Sequence, residues 1–294
     1  MSEEGLSRSP RQVRMPTQHD RIVGNHPYPV VMEDRNPARV FGEVAGDYDR
    51  VRPAYPAELF GDVMRFSQPD IDGRRALDVG AGTGRATELF AREGLPVVAL
   101  EPDDAMAEVL ARRVARFPDV QVVRGSFEEF RPTRRFGLLF SAEAWHWTAP
   151  ETRWSLAADA LADGATLALF WNTERITAPA LRTSMLQTFA EHAPTVVIND
   201  EPVTAEQVWH RWPGDDLSGV SAFENLTSRH YQRRWNMPKA DYLDLAQTRS
   251  QFRMLPQPVR EDLLAAMATL FTDEVPLTIH TTLLLARRRT PADQ

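Results

Sequence analysis

The chain has 294 residues, 43% of them hydrophobic and 26% charged, a composition that supplies a sizeable core and allows one large domain or two small ones. Its net charge of −7, from 34 basic and 41 acidic residues, speaks against general affinity for nucleic acid. With no cysteine in the chain, disulfides, thiolate nucleophiles, cysteine-ligated zinc and iron–sulfur clusters are excluded. Lys239, the only lysine, lies in no Schiff-base or P-loop motif.

Residues 1–37 read as a flexible N-terminal extension and a candidate lid: polar without periodicity to about Asp20, then irregular around Pro27, Pro29 and Pro37. Neither an apolar signal-peptide region nor a run near the ~20 residues of a membrane span is present, so the expectation is a cytoplasmic protein. Residues 39–50 and 57–67 predict helices on either side of the proline-bounded segment Arg52–Pro56. Short apolar runs then alternate with helical patterns. Ala76–Val79, Val97–Leu100, Val120–Val123, Gly137–Phe140 and Thr166–Phe170 predict strands; 84–93, 103–116 and 151–162 predict helices. That rhythm predicts an α/β fold with a parallel sheet and helices on both faces, because each parallel pair needs a crossover. Beyond Asn172 come a helix at 178–192, a mixed insertion at 193–222, a long strand at 223–235, helices at 238–250 and 257–271, and a final apolar run, Leu277–Ala286.

The most informative segment is Leu77-Asp78-Val79-Gly80-Ala81-Gly82-Thr83-Gly84-Arg85. A strand runs into a turn with alternate glycines and straight into a helix. Glycine admits positive φ and close approach of a ligand, and the helix N-terminus offers free N–H groups to an anion. The pattern is G-x-G-x-G; where a dinucleotide fingerprint wants its third glycine or alanine stands Arg85. Glu101 ends the next strand, where a carboxylate can accept hydrogen bonds from both ribose hydroxyls of an adenosine. Asp78, just before the turn, suits an ammonium or a network beneath the loop.

LDVGAGTGRATELFAREG followed by VVALEPDDAMAEVLARR resembles motif I and post-motif I of the class I S-adenosylmethionine-dependent methyltransferases. Tyr48-Asp49-Arg50-Val51-Arg52-Pro53-Ala54-Tyr55-Pro56 resembles the opening of the small-molecule branch called type 11, and FGLLFSAEAWHW resembles the fourth strand and its substrate loop. The resemblance covers residues 40–175 and, more loosely, 223–290. It implies a Rossmann-like, seven-stranded, mostly parallel sheet with an antiparallel last strand, as one domain over 38–290 with an insertion around 178–222.

The resemblance further implies that Asp78, Gly80, Gly82, Thr83 and Gly84 surround the methionine part of S-adenosylmethionine and that Glu101 binds its ribose. Met106, Ser126 and Phe127 would lie toward adenine, Phe127 being open also to a core role. Ser141 would complete the cofactor set. Tyr48 and Arg52 would cap it, with Arg52 either pairing with the cofactor carboxylate or held at the surface by Asp49 or Glu58. In the loop after the fourth strand, Trp145 and Trp147 suggest an aromatic wall. His146 suits a general base, or else bonds a backbone carbonyl. Glu143 is a second candidate base or cofactor-side group, and Trp171 and Asn172 are candidate substrate contacts. His19 and His26 suit either a lid or a polar tail. No histidine spacing suggests a metal site. The implied reaction is methyl transfer from S-adenosylmethionine, with S-adenosylhomocysteine as product, to a small planar or hydrophobic metabolite, as in secondary metabolism, at O, N or C. Trp209, His210 and Trp212 suggest an aromatic lid over it. A nicotinamide-dependent oxidoreductase and a non-catalytic cofactor-binding regulator are the alternatives.

Overall fold

The computed structural model describes residues 45–67, 74–196, 198, 201 and 204–290. The expected extension at 1–37, with His19 and His26, lies outside them. The strands are β1 (Ala76–Val79), β2 (Val97–Glu101), β3 (Val120–Arg124), β4 (Phe136–Ala142), β5 (Leu161–Ile176), β6 (Phe223–Pro238) and β7 (Glu274–Arg288). They form one sheet in the order β3-β2-β1-β4-β5-β7-β6. β1 to β5 are parallel, and β7 runs antiparallel to both β5 and β6.

β1, β2 and β4 are buried on both faces, whereas β3, at the sheet edge, is partly exposed. Alternate residues serve opposite faces. Leu77, Leu139 and Leu167 pack with α5 (Arg153–Ala160). Leu138, Phe140, Ala168 and Phe170 pack with α2 (Ala57–Ser67) and α3 (Arg85–Arg92). Phe90 of α3 stacks on Phe140 at 4.3 Å, and both are fully buried. α4 (Asp104–Val114) closes the β2 edge through Leu110 and Val114, and its N-terminus is capped by the Asp103 carboxylate, which accepts from Met106 N at 2.9 Å.

The second half of the sheet is built differently. β5 outruns β4 by the segment Trp171–Ile176, roughly 20 Å of strand at about 3.3 Å per residue. The register of β7 follows it, Trp171 facing Thr282 and Ile176 facing Leu277, and β6 follows β7 to Pro238 opposite Glu274. This three-stranded extension stands beyond the carboxyl ends of β1 to β4. α6 (Pro179–His192), α8 (Lys239–Gln247), α9 (Ser250–Arg253) and α10 (Gln257–Leu270) cover it. Between them lies a second core, with Ile176, Phe189, Leu245, Phe252, Met267 and Ile279 among its members. α1 (Ala45–Val51) joins this core through Val51, and its Arg50 pairs with Asp241 and Asp244 of α8.

The part of the insertion from Gln207 to Ser218 lies elsewhere than expected. A short 3-10 turn at Gln207–His210 and α7 (Gly214–Ser218) pack Val208 and Leu217 into the first core beside Trp145, Trp154 and Phe223. Trp209, His210 and Trp212 are therefore not part of the lining of the cavity at the carboxyl edge, and Trp212 meets it only through His146. Apolar side chains in an irregular segment find the nearest uncovered apolar face, here that of α5 and the sheet.

Candidate functional site

One cavity of about 370 Å³ opens at the carboxyl edge of the sheet, between the glycine turn and the second core. The turn is held by β2, with Gly80 N and Ala81 N both donating to Leu100 O at 3.0 Å. Its three glycines serve three different ends. Gly80, at φ +72°, has no room for a side chain, since a Cβ would stand 2.4 Å from that of Ala144. At Gly84, φ +85°, a Cβ would meet Leu110 Cδ1 at 2.5 Å, so this glycine lets α3 close on α4. Gly82, at φ +58°, has nothing within 4 Å of where its Cβ would be; it leaves open space in the cavity wall.

Glu101 is fixed at the mouth of this turn. One carboxylate oxygen accepts from Gly82 N at 2.7 Å, the other from Asp103 N at 2.9 Å. Burial nevertheless pushes its carboxyl up to about 7 against those two bonds. Asp78 lies under the turn and does not reach the cavity wall. It accepts from Thr87 Oγ1 at 2.6 Å through one oxygen, and its other oxygen is buried with no partner. Burial raises Asp78 to about 7 as well, the Thr87 bond opposing and the charge of Glu101 adding. Met106, Phe127 and Pro102 supply apolar wall beside Glu101. Phe127 lines the cavity and packs its buried ring against Trp145 at 5.8 Å, so the core role is filled.

Tyr48 of α1 and Arg52, next after that helix, also line the cavity. Neither Asp49 nor Glu58 holds Arg52: its guanidinium donates to Thr248 Oγ1 and Thr248 O, both at 3.0 Å, and lies 4.8 Å over the Tyr48 ring. Asp49 is engaged instead by Arg113 of α4, which also donates to Glu88 at 2.6 Å and to Thr83 O at 2.9 Å. This one arginine thus ties α1, the glycine turn and α3 together. Arg85, the residue that breaks the dinucleotide fingerprint, donates to Asp49 O and lines the cavity, its Nε buried without a partner.

The loop after β4 forms the third wall. Glu143 takes the left-handed conformation at φ +59°, rare for a residue with a side chain. Its N–H donates to Phe170 O at 3.0 Å and its carboxylate accepts from Asn172 N at 2.5 Å, clamping the tip of β4 to β5. Burial pushes the Glu143 carboxyl up to about 7; Arg52 opposes and Glu174 adds to the rise. Asn172 in turn donates to Pro53 O at 3.3 Å and accepts from Thr281 Oγ1 at 2.6 Å. His146 and Trp147 line the cavity with their rings 4.5 Å apart, and Trp212 braces His146 edge-on at 6.2 Å.

Of the residues singled out in the sequence, the cavity gathers Tyr48, Arg52, Gly80, Gly82, Thr83, Glu101, Met106, Phe127, Glu143, His146, Trp147 and Asn172. Trp145 is buried beside Trp154, Ser141 donates to Val79 O at 2.7 Å inside the sheet, and Gly84, Ser126 and Trp171 stand outside the wall. Sequence reasoning missed the distal wall: Phe189 of α6, Val196 and Ile198 beyond it, and Arg249 to Phe252 at the junction of α8 and α9. Glu174 also lies there, paired with Arg249 at 3.0 Å. No spacing signals these residues, because they meet only when the sheet extension folds back over the edge. Among the described residues no cluster of metal-ligating side chains occurs, and no helix is long and apolar enough to cross a membrane.

The sheet order, the glycine turn and the acid ending β2 define the class I S-adenosylmethionine-dependent methyltransferase fold. Comparison with known proteins agrees. Residues 76–164 match the family model described as a methyltransferase domain. An uncharacterized methyltransferase of Mycobacterium tuberculosis is 36% identical over 134 residues, 45% of this chain and 52% of that protein. A probable S-adenosylmethionine-dependent methyltransferase of Saccharomyces cerevisiae is 29% identical over 130 residues, 42% of this chain and 43% of that protein. The chain thus spans about half the length of the curated relatives it matches. A solved structure from Anaeromyxobacter dehalogenans, named as a candidate type II methyltransferase, shares the fold with a TM-score of 0.56 at 21% identity, over 82% of this chain and 99% of that one. Residues 76–164 are thus similar to a methyltransferase domain, and the chain has the methyltransferase Rossmann-like fold.

The residues present fit that cofactor. The space left by Gly82 and the fixed carboxylate of Glu101 form a cradle with an acceptor for a diol, and Asp78 keeps a partnerless buried oxygen beneath the turn.

Proposed function

We propose that the protein transfers the methyl group of S-adenosylmethionine to a small planar or hydrophobic metabolite, at O, N or C. The observation that carries this reading is the continuity of one cavity from the glycine turn and Glu101 to the loop holding Glu143 and His146. Glu101 would hold the ribose hydroxyls, Met106 and Phe127 the adenine face, and Arg52 the cofactor carboxylate, with Asp78 acting from beneath the turn. The bound cofactor supplies an activated methyl carbon on a sulfonium. What remains to this chain is to align an acceptor and keep water out, and orientation alone supplies on the order of 7–11 kcal/mol in favourable cases. His146 and Glu143 are the groups that can take a proton from an attacking hydroxyl or amine, worth roughly two to four orders of magnitude. Trp147 and Asn172 position the acceptor. The charged Arg85 in the wall and the G-x-G-x-G spacing argue against a nicotinamide dinucleotide, and the charge of −7 against a nucleic-acid acceptor.

Calorimetric titration with S-adenosylmethionine tests the reading, with Glu101→Ala and Asp78→Ala alongside. Saturable binding by the wild type and weakened binding by both variants are expected. No binding, or normal binding by both variants, overturns it. Mass spectrometry against a metabolite panel, looking for the gain of one CH₂ with release of S-adenosylhomocysteine, then separates an enzyme from a binding regulator.

A further inference from the structure

The distal part of the cavity carries information about the acceptor that the cofactor cradle does not. Phe189, Val196, Ile198 and Phe252 line it, and all four belong to or pack against the second core. Cavity wall in a core is costly, since each side chain there forgoes contacts that a closed core would give it. Glu143 of the loop after β4, Asn172 of β5 and Arg52, next after α1, line the same cavity, and Ser250 and Gln251 line it between Arg249 and Phe252. Arg249 is held to Glu174, whose side chain is 9% exposed. Four hydrocarbon side chains of one core thus meet in this wall, and the Arg249 and Glu174 charges beside them are paired with each other.

We infer that the acceptor is amphipathic, an unbranched or aryl apolar body seated among Phe189, Val196, Ile198 and Phe252, with a proton-bearing polar group turned to Glu143 and Asn172. This rests on the methyltransferase reading for the identity of the transferred group, but the chamber can be probed without it. A charged or sugar-like body would leave its polar groups unpaired against four hydrocarbon side chains and be rejected. Within an apolar series, affinity should climb with each added methylene until the chamber is full, and then stop.

The probe is the 4-alkylphenol series from methyl to heptyl, titrated calorimetrically into the full chain, both free and saturated with S-adenosylhomocysteine. The expected result is a gain of about three- to fourfold per methylene, the transfer value of a buried CH₂, ending at a definite length. The matching 4-alkylanisoles, which lack the donor proton, should bind at least about tenfold more weakly. Ile198→Asp should flatten the series and leave S-adenosylhomocysteine affinity unchanged. Should that variant fail to fold, Val196→Phe fills the chamber instead and should shorten the longest chain accommodated. A flat series in the wild type, or increments that persist unchanged in both variants, overturns the inference. A flat series beside normal S-adenosylhomocysteine binding leaves the methyltransferase reading standing. Clear increments with no S-adenosylhomocysteine binding uphold the chamber and overturn that reading.

Discussion

The two halves of the sheet meet at one cavity but build their sides of it by different means. In the β1–β4 half the wall is largely backbone: a turn with three left-handed glycines, strands only a few residues long, and a carboxylate bonded to two main-chain N–H groups. In the β5–β7 half it is side chain, contributed by elements from Asn172 to Phe252 that converge through a separate core. A backbone wall tolerates almost no substitution and recognises one constant ligand. A side-chain wall can be repacked residue by residue and so suits a ligand that differs from one protein to the next.

That contrast can be broken most severely at Gly80. Gly80→Ala adds a left-handed penalty of about 1–2 kcal/mol to an overpacking cost of about 1–3 kcal/mol against Ala144, and chemical denaturation should show a loss of that order. Gly82→Ala, with open space around it, should incur only the first cost; equal losses at the two positions would contradict the division of roles drawn here.

Next in size is Glu101→Ala, expected to weaken S-adenosylmethionine binding on the order of 100-fold, as two hydrogen bonds to a charged group are lost. The same residue sets opposite pH trends. Its carboxyl lies at about 7 in the fold and near 4.3 in an unfolded chain, so between these values the native state holds the extra proton. Its contribution to the stability of the ligand-free protein is therefore complete below about pH 4 and lost as pH rises through 7. Cofactor affinity should move the other way, rising through pH 7, because ribose hydroxyls donate to the ionised form. Isothermal titrations and melting curves at pH 5.5 and 8.5 would show the two trends crossing; parallel trends would mean that Glu101 does not hold the ribose.

In the other half, Arg249→Met strands Glu174 in a largely buried site. A destabilisation of about 1–2 kcal/mol is expected, discounted because Arg249 itself is 30% exposed. Its mark is selectivity: S-adenosylmethionine affinity should stay within about twofold of wild type, since Arg249 touches no part of the cradle. The smallest effect belongs to the exposed Arg124–Asp104 pair, where Asp104→Ala should change stability by no more than about 0–1 kcal/mol.

What could be read in the amino-acid sequence divides along the same line. β1 and α2 have the predicted bounds, and the other predicted strands extend by one to several residues, because apolar runs bounded by turn residues report burial directly. The glycine turn and Glu101 were legible for the same reason, since local backbone demands leave local traces. Trp145 was not: in the pattern Trp-His-Trp nothing distinguishes the ring that enters the core from the one that faces the cavity, and the 3-10 turn decides it. Thr148 and Arg153 pin that turn, Thr148 Oγ1 donating to Trp145 O and Arg153 to Thr148 O, both at 2.7 Å. The pairing of Glu174 with Arg249 joins residues 75 apart and depends on the register of β5 against β7.

That register has a consequence for how the molecule comes into being. β7 lies between β5 and β6 and is the only strand bonded to β6 among the described residues, yet it is the last of the three to be synthesised. Until residues 274–288 have left the ribosome, β5 presents an open edge and β6 has nowhere to pair. The β1–β4 half takes all its strands from residues 76–142, whereas a chain stopped short of Glu274 would lack the strand that joins β5 to β6.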